Sequence, residues 1–430
     1  MWIGSTIAKK VNDMSIELQK KKLLILGGNA LSCDIVNAAR SMGVYTIVTD
    51  WNEPSKSPAK LVADEYWNIS LMDYDTLTAN IKQENVHGII TGFTDSYLLP
   101  YQHLCEMNGF PCYGTKEQFE KTLDKATFKA LCRDNDVDVV PQYDVMNFDK
   151  QIISDSNKII IKPVDNSGSR GICLCERAED FDSMLQYALS FSQKNEVVLE
   201  KYMDCDDVSF EYKIQDGEVI LSSICDRYIY KTPSGGSVTS KLIYPSKYIS
   251  DYMKNEDKKV RRMFQKLGFR NGVLFMQAFT ENGNFYFYEM GYRLSGGRHY
   301  LFTENQNGTS AVKELVCFAL LGRMAGYRLS EQVNPKFQDS CCQLSILCKN
   351  EKIGRIDGKE TLKEIPEVID ATYYYNEGDT VGKEGTTAQI LARFHIVAHD
   401  DVCLNDVLLK IEKSFSVLNE KGENIIIKIS

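Results

Sequence analysis

The order of apolar segments along this chain restricts its fold more than any other feature of the sequence. A short apolar strand from Lys22 to Gly28 is followed by a helical pattern and then by a second strand, which ends at Asp50. The same alternation continues as far as a helix from Ser96 to Met107. Strands that alternate with helices favour a parallel sheet covered by helices. Residues 21–118 therefore predict a Rossmann-like α/β domain, preceded by an N-terminal extension over residues 1–20.

The next segment predicts a connecting helix. Thr115 is a suitable N-cap, and apolar residues from Phe119 to Leu131 recur at helical spacing before Pro141 ends the pattern. We therefore expect one helix between the first domain and the rest of the chain.

Strand and turn signals dominate after this helix. The pair Asn282-Gly283 between two apolar strands is the sequence of a two-residue hairpin turn. We predict a central domain over residues 119–330, which contains a compact subdomain at about residues 148–204, and a small α+β domain over residues 331–430.

Composition excludes several classes of protein. The 50 Lys and Arg residues against 59 Asp and Glu residues give a net charge of -9, which argues against a nucleic-acid partner. The 13 cysteines are odd in number and form no C-x-x-C pair, which indicates free thiols in a reducing cytosol. No run of about 18 apolar residues is present to cross a bilayer. We therefore expect a cytoplasmic protein with no membrane partner.

The glycine loop after the first strand is a weak candidate for an anion site. Gly27, Gly28 and Asn29 precede a helix, and Asp50 follows the second strand, where it could bind a ribose hydroxyl. The G-x-G-x-x-G spacing is absent. A tight turn in a Rossmann-like scaffold is the alternative to a dinucleotide site.

A lysine at the end of an apolar strand is a stronger candidate. Lys162 is followed by Pro163 and by a loop rich in glycine and serine that runs to Gly171. The lysine supplies a point charge and the loop supplies backbone N–H donors, which together suit a polyphosphate. The alternative is a plain hairpin, which would not require a lysine at this position.

The strand VVLEKYM, residues 197–203, leads out of the same subdomain. Its backbone could bind an adenine edge while Met203 packs on the adenine ring, although an ordinary edge strand has the same pattern. Asp207 lies just beyond this strand, where it could bind a ribose hydroxyl or belong to a solvated turn.

A polar pair lies on the two strands of the predicted hairpin. Gln277 and Glu289 offer oxygen ligands of the kind that Mg²⁺ prefers, and arginines follow in the segment up to Arg298. Regular pairing across Asn282-Gly283 opposes residues whose numbers sum to 565, whereas 277 and 289 sum to 566. We therefore predict a bulge or an odd-length loop that brings the two side chains to one face.

Taken in order, these motifs resemble the ATP-grasp superfamily from about residue 21 to about residue 325. The resemblance rests on LDKATFK, on IKP with its glycine loop, on VLEKY and on the hairpin that ends EMGYR. The C-terminal stretch is similar to the last domain of carboxylase-like members and amino-acid ligases. The implied fold is an ATP-grasp fold of mixed α/β and α+β class with a mobile lid, which is the subdomain at residues 148–204.

The resemblance also implies a set of ligand-binding residues. Magnesium would be held by Gln277 and Glu289, and Arg293 and Arg298 would be catalytic. Because Gln277 replaces a carboxylate and Gly291 replaces an asparagine, the number of magnesium ions, one or two, stays open. The residues implied to bind ATP are Lys125, Lys162, Ser167, Gly168, Ser169, Gly171, Glu200, Lys201, Met203 and Asp207.

The implied reaction is the ATP-dependent joining of a small carboxylate, such as an amino acid, to an amine through an acyl phosphate. Two alternatives stay open: phosphorylation of bicarbonate or carbamate, and an ATP-binding protein that has lost catalysis. No general base is assigned, although Arg227, Tyr228, Lys231 and His299 lie in the relevant region of the sequence. The resemblance is also compatible with a homodimer.

Overall fold

The N-terminal part of the chain forms a four-stranded parallel sheet in the order β3-β2-β1-β4. A computed structural model describes residues 17–164, 171–232, 237–324 and 326–428, so most of the predicted N-terminal extension lies outside it. The strands of this sheet are β1 (Lys22–Leu26), β2 (Tyr45–Asp50), β3 (Glu65–Asn68) and β4 (Gly88–Ile90), and the helices are α1 (Ser32–Ser41), α2 (Pro58–Val62), α3 (Tyr74–Gln83) and α4 (Leu98–Asn108).

Burial explains why the sequence of this sheet reads as continuous apolar runs. In β1 the residues from Leu23 to Leu26 are all buried, because helices cover both faces of a parallel sheet. The Rossmann-like arrangement predicted from the alternating pattern is therefore confirmed.

The connecting segment is two helices, not the single helix that the apolar spacing predicts. Helix α5 (Lys116–Leu123) starts with a capping box between Thr115 and Gln118, so the predicted N-cap is correct. Asp124 then adopts an extended conformation and caps α6 (Lys125–Arg133) by accepting a hydrogen bond from the Thr127 N–H. The apolar spacing continues across this break, which is why it does not reveal the interruption.

A small antiparallel sheet in the order β5-β8-β6-β7 follows, and α7 packs on it. This subdomain has an apolar core of its own, in which Ile159, Ile161 and Leu199 are fully buried. Its elements are β5 (Gln142–Tyr143), β6 (Ile159–Pro163), β7 (Cys173–Cys175), α7 (Phe181–Leu189) and β8 (Val197–Lys201). We refer to it as the lid.

An eight-stranded antiparallel sheet in the order β13-β12-β9-β10-β11-β14-β17-β16 forms the centre of the molecule. The first half of its elements are β9 (Asp206–Gln215), β10 (Glu218–Lys231), β11 (Ser237–Tyr244), α8 (Ile249–Asn255), α9 (Asp257–Lys266), β12 (Gly272–Glu281) and β13 (Asn284–Gly291). The helices that follow are α10 (Tyr300–Asn307), α11 (Ala311–Leu321) and α12 (Leu329–Gln332).

The two faces of strand β9 differ in chemistry. One face carries the apolar side chains of Val208, Phe210, Tyr212 and Ile214, which are fully buried in the main core. Because side chains alternate along a strand, the other face carries polar ones, and these are buried as well. They are Asp207, Ser209, Glu211 and Lys213. Buried polar side chains require partners, so this face is the first place to search for a site.

The C-terminal segment extends the central sheet. The sequence predicts a small α+β domain here, and the segment does have its own apolar core around Phe394 and Ile411. Strand β14, however, pairs with β11 and so joins β14, β17 and β16 to the central sheet. Its elements are β14 (Ser340–Leu347), β15 (Ile353–Asp357), α13 (Lys359–Lys363), β16 (Val368–Tyr373), β17 (Ile390–Ala398), α14 (Asp401–Ser414) and β18 (Ser416–Asn419), with β15 and β18 paired separately.

The structure tests two predictions from the sequence, one about the cysteines and one about membrane-spanning helices. All 13 cysteines are free thiols, as predicted, and the pairs Cys173 with Cys175 and Cys341 with Cys342 lie on strands. Among the described helices, none has the length and apolar character needed to span a bilayer.

Candidate nucleotide and metal site

The hairpin of β12 and β13 contains the irregularity that the residue numbering predicts. The turn is at Asn282 and Gly283, which both have positive φ angles, of 53° and 77°. Gln277 pairs directly with Glu289, whereas the next residue on β12 pairs with Phe287, which leaves Tyr288 as an extra residue in β13. The predicted bulge is confirmed, and it places Gln277 opposite Glu289.

Gln277 and Glu289 fit a hard cation. Both side chains are partly exposed, and neither makes a hydrogen bond or an ion pair with any residue that the structure describes. Amide and carboxylate oxygens suit Mg²⁺, which commonly takes one or two carboxylates and completes its shell with phosphate and water. No cluster of three or more His, Cys, Asp or Glu side chains suited to a metal occurs within the described ranges. The pair therefore fits an ion that a ligand helps to bind, because it carries only one carboxylate.

Arg227 lies beside this pair and neutralises a buried carboxylate. Its Nη1 donates to both oxygens of Asp207 at 3.1 and 3.2 Å, and the Tyr288 hydroxyl donates to the same carboxylate at 3.0 and 3.1 Å. Burial raises the pKa of Asp207, and the nearby Glu289 raises it further, while Arg227 opposes both effects. Both carboxylate oxygens of Asp207 already have donors. A ribose hydroxyl, which the sequence predicts to bind here, would have to share these oxygens with Arg227 and Tyr288.

A second cluster joins the lid to helix α6. Lys162, on β6, donates to Glu200 Oε2 at 2.6 Å, and Lys129, on α6, donates to Glu200 Oε1. The Glu200 carboxylate is buried, and burial alone would raise its pKa, but Lys162 and Lys129 outweigh burial and lower it. The structure therefore places the Glu200 side chain against two lysines. The assignment of Glu200 to the ATP-binding residues stays a prediction.

Lys129 is a residue that the sequence reading missed. Lys125, the lysine selected from LDKATFK, is exposed in the first turn of α6, whereas Lys129 is only 3% exposed. Lys129 follows Phe128 and precedes Cys132 on the buried face of the helix. A lysine on the apolar face of an amphipathic helix is the signal that could have identified it.

Most of the predicted phosphate loop lies outside the described residues, including Ser167, Gly168 and Ser169. Gly171, at the end of this loop, has a φ angle of +75°. A Cβ atom there would lie 2.6 Å from Phe191 Cβ and 2.9 Å from Pro163 Cγ, so glycine is required both by conformation and by space.

The strand that leaves the lid contacts the central sheet at two points. Lys201 Nζ lies 3.9 Å from Glu281 Oε2, at the end of β12, and the Tyr202 hydroxyl accepts a hydrogen bond from Lys231 Nζ at 2.8 Å. Met203, predicted to pack on adenine, is buried. These contacts place the lid strand close to the hairpin that carries Gln277 and Glu289.

Both arginines predicted to be catalytic are held by carboxylates of the N-terminal domain. Arg293 donates from Nη2 to Asp95 Oδ2 at 2.7 Å, and its guanidinium also lies over the ring of Phe275. Arg298 donates from Nε to Asp34 Oδ2 at 2.7 Å. The structure thus gives each guanidinium a partner other than a substrate.

Arg298 joins three parts of the molecule. Besides Asp34 on α1, its guanidinium contacts Asp370 and Thr372 on β16, and the arginine side chain is only 5% exposed. Its backbone has a φ angle of 55°, which is unfavourable for any residue except glycine. A buried, fully paired arginine has the contacts of a structural anchor, and the catalytic role that the resemblance implies stays a prediction.

His299 is also structural. It is 1% exposed, and its Nδ1 shares a hydrogen bond of 2.7 Å with the Tyr244 hydroxyl. Burial and the charge of Arg227 lower the pKa of His299 to about 3, so the ring is neutral and a poor base near neutral pH. The catalytic alternative for this histidine is not supported.

The glycine loop after β1 is a packed turn and not an open anion site. Asp50 accepts hydrogen bonds from the Gly28 N–H and the Ser57 hydroxyl, each at 2.8 Å, and pairs with Lys60 at 2.9 Å. Cβ atoms on the two glycines of the loop would overlap Tyr97 and Ser57. The structure therefore supports the tight-turn alternative.

The chain is similar in sequence to known ATP-binding proteins. Residues 124–324 match the family described as "Carbamoyl-phosphate synthase L chain, ATP binding domain". A formate-dependent phosphoribosylglycinamide formyltransferase from Wolinella succinogenes is 22% identical over 274 residues, which cover 63% of this chain and 69% of that enzyme.

Two solved structures share nearly the whole fold. The L-amino acid ligase from Bacillus licheniformis has a TM-score of 0.76 at 15% identity and covers 94% of this chain and 99% of its own. The biotin carboxylase domain dimer of 2-oxoglutarate carboxylase from Hydrogenobacter thermophilus, solved with MgADP, ADP and bicarbonate, has a TM-score of 0.74 at 18% identity and covers 95% and 91%. Together with the family match over residues 124–324, these structures show that the chain has the ATP-grasp fold and that its central part is similar to the ATP-binding domain of carbamoyl-phosphate synthase.

Proposed function

We propose that this protein is an ATP-dependent ligase that phosphorylates a small carboxylate substrate and joins the resulting acyl phosphate to an amine, with release of ADP and phosphate. The observation that carries the proposal is the bulged pairing of Gln277 with Glu289, which opposes two oxygen ligands beside Arg227. Two opposed oxygen-bearing side chains that are partly exposed and have no hydrogen-bond or ion-pair partner among the described residues are available to hold a cation.

Different residues of the chain would bind the magnesium, the phosphates and the adenine. Gln277 and Glu289 would hold magnesium, which neutralises phosphate charge when it is bound. Lys162 and Lys125 would bind the phosphates, and the backbone of the lid strand near Lys201 would bind the adenine. The loop that ends at Gly171 would exclude water, which otherwise destroys an acyl phosphate.

Arg227 is a cation close to the metal pair. It pairs with Asp207 and contacts Tyr288, the residue before Glu289, and its charge acts on Glu289. A fixed guanidinium at this place would stabilise the negative charge that develops on the reacting carboxyl group. Arg293 lies at the edge of the same region and would contribute once a substrate competes with Asp95.

Relatives indicate the class of substrate. One similar enzyme is formate-dependent and another is an L-amino acid ligase, so both act with small carboxylates. We therefore expect an acid of that size, and a cytoplasmic homodimer is compatible with the dimer described for the biotin carboxylase domain.

A second candidate is phosphorylation of bicarbonate. It is favoured by the presence of Gln277 in place of a carboxylate and by the bicarbonate in the biotin carboxylase structure. The two reactions differ in the substrates they require. The ligase needs an organic acid and an amine, whereas the second candidate needs only bicarbonate.

Measurement of ADP release separates these functions. The protein is mixed with magnesium and ATP, and then with L-amino acids singly and in pairs, with formate plus an amine, or with bicarbonate alone. The proposal expects release that needs both an acid and an amine. Release with bicarbonate alone would favour the second candidate, and no release under any condition would favour a protein that binds ATP without catalysis.

A pair of variants ties the activity to the site. Glu289→Gln removes the charge of the metal pair, whereas Glu218→Gln makes the same change at the start of β10, where Glu218 pairs with Gln215 at the opposite end of β9 from Asp207. We expect a loss of at least about tenfold in ADP release for the first variant and none for the second. Equal effects of the two variants would contradict the assignment of Glu289.

A further inference from the structure

The three charged side chains between the lid and helix α6 differ in their exposure. Lys129 and Glu200 are each 4% exposed, whereas Lys162 is 26% exposed. Lys162 also lies near the end of β6, which precedes the segment that ends at Gly171. Of the two lysines, therefore, only Lys162 is in a position to leave Glu200 and contact a ligand.

The charges of the cluster do not balance. One buried carboxylate has two lysines, so the cluster carries an excess positive charge. If Lys162 moved to a phosphate group, Glu200 and Lys129 would remain as a neutral buried pair. If Lys129 were absent, the same movement would leave a buried carboxylate without a counterion, which is strongly unfavourable.

The surroundings of Glu200 offer few substitutes for Lys129. Arg133, another cation on α6, donates to Gln142 on β5. Lys158, just before β6, pairs with Glu176. On β8 the next cation is Lys201, which lies beside Glu281. Glu200 thus depends on Lys129 and Lys162.

We propose that Lys129 is a positioning residue for ATP binding: it remains with Glu200 as a permanent counterion and so allows Lys162 to transfer from Glu200 to the phosphates. This inference rests on the proposed function, because it needs a polyphosphate ligand at Lys162. Lys129 acts through Glu200 and need not contact the ligand. The proposed role of Lys129 also explains why Glu200, a carboxylate that would repel ATP, lies so close to the phosphate-binding Lys162.

The proposal has a consequence for protons. In the wild-type protein Glu200 stays ionised when the ligand takes Lys162. In Lys129→Met, Glu200 loses its last counterion at that step and must take up a proton from solution. Binding then takes up about one proton more than in the wild type, and the dissociation constant rises by about tenfold for each unit of pH above neutrality.

Isothermal titration calorimetry measures this proton count. The ligand is the β,γ-imido analogue of ATP with magnesium, titrated at pH 7 and pH 8 in buffers that differ in ionisation enthalpy. We expect about one additional proton and the steeper pH dependence for Lys129→Met, and wild-type behaviour for Lys129→Arg. A Lys129→Met protein that binds with the affinity and proton count of the wild type would overturn the inference.

A second pair of variants removes the dependence on the stability of Lys129→Met. In a Glu200→Gln background no carboxylate needs a counterion, so adding Lys129→Met should change the affinity by less than about twofold. If Lys129 instead contacts the phosphates itself, the same addition should weaken binding about tenfold, and that result would overturn the inference. Failure of the wild type to bind the analogue would reject the proposed function, and with it this inference. If the wild type binds but the Lys129 variants behave differently from the expectation, only the inference is rejected.

Discussion

Replacement of Arg298 by glycine tests whether this residue is an anchor or a catalyst. The change removes a guanidinium that is 5% exposed and that pairs with Asp34 and Asp370. Loss of one partner from a buried ion pair costs about 3–5 kcal/mol. Glycine also relieves the left-handed backbone strain at φ 55°, which is worth about 1 kcal/mol. Because the two carboxylates are 20% and 27% exposed, water compensates in part, so we expect a net destabilisation of about 2 kcal/mol.

Urea denaturation followed by tryptophan fluorescence measures this effect. Trp51 and Trp67 both lie in the N-terminal domain, which Arg298 joins to the central sheet through Asp34. Arg323→Gly is a suitable control, because Arg323 is 54% exposed and its pair with Glu17 is expected to contribute less than about 1 kcal/mol. A variant with unchanged stability and a loss of kcat of about 100-fold would refute the anchor and support the catalytic assignment.

Three further predictions concern buried groups. Burial raises the pKa of Glu211 to about 7, above its ordinary value of 4.5, so the stability that its protonated form provides is present at low pH and is lost as the pH rises through 7. Glu211→Gln should therefore remove about 3 kcal/mol of pH dependence between pH 5 and pH 8.5 in urea denaturation, and an unchanged dependence would contradict the assignment. His299→Gln should lower stability by about 1 kcal/mol through loss of the Tyr244 hydrogen bond and leave kcat within about threefold, whereas a stable variant with a large loss of kcat would restore the catalytic alternative. Gly28→Ala should lower the melting temperature, because a methyl group would overlap Ser57, without changing ATP affinity, and a selective loss of affinity would show that the glycine loop binds the nucleotide.

Local patterns were sufficient to predict much of the fold and one detail of the site. The alternation of strands and helices predicts the parallel sheet because each element covers its neighbour in sequence. The bulge opposite Gln277 follows from counting residues across Asn282-Gly283, because pairing in a hairpin is fixed by its turn.

The contacts that the sequence could not predict join residues that are far apart along the chain. Asp34 is 264 residues from Arg298, and Asp370 is 72 residues from it on the other side. No periodic pattern connects such positions, so Arg298 looked like a free arginine after the hairpin. The pairing of Glu200 with Lys129 was not predicted for the same reason, since Lys129 is 71 residues away on a helix.

The break between α5 and α6 and the joining of β14 to β11 have a different origin. A helix can end within an uninterrupted apolar pattern when a residue such as Asp124 gains more by capping the next helix. Strand β14 pairs with β11 because an unpaired sheet edge would leave backbone groups without partners, and periodicity does not specify which edge is chosen.

Binding of magnesium and ATP by the wild type and by Glu289→Gln, followed by ADP release on addition of an acid and an amine, tests the account most directly. We expect the wild type to bind ATP in a magnesium-dependent manner and to release ADP only when both substrates are present. The Glu289→Gln variant should lose at least about tenfold in magnesium-dependent affinity, while Glu218→Gln should not. A wild-type protein that takes up no ATP with or without magnesium would contradict the assignment of the site and of the reaction.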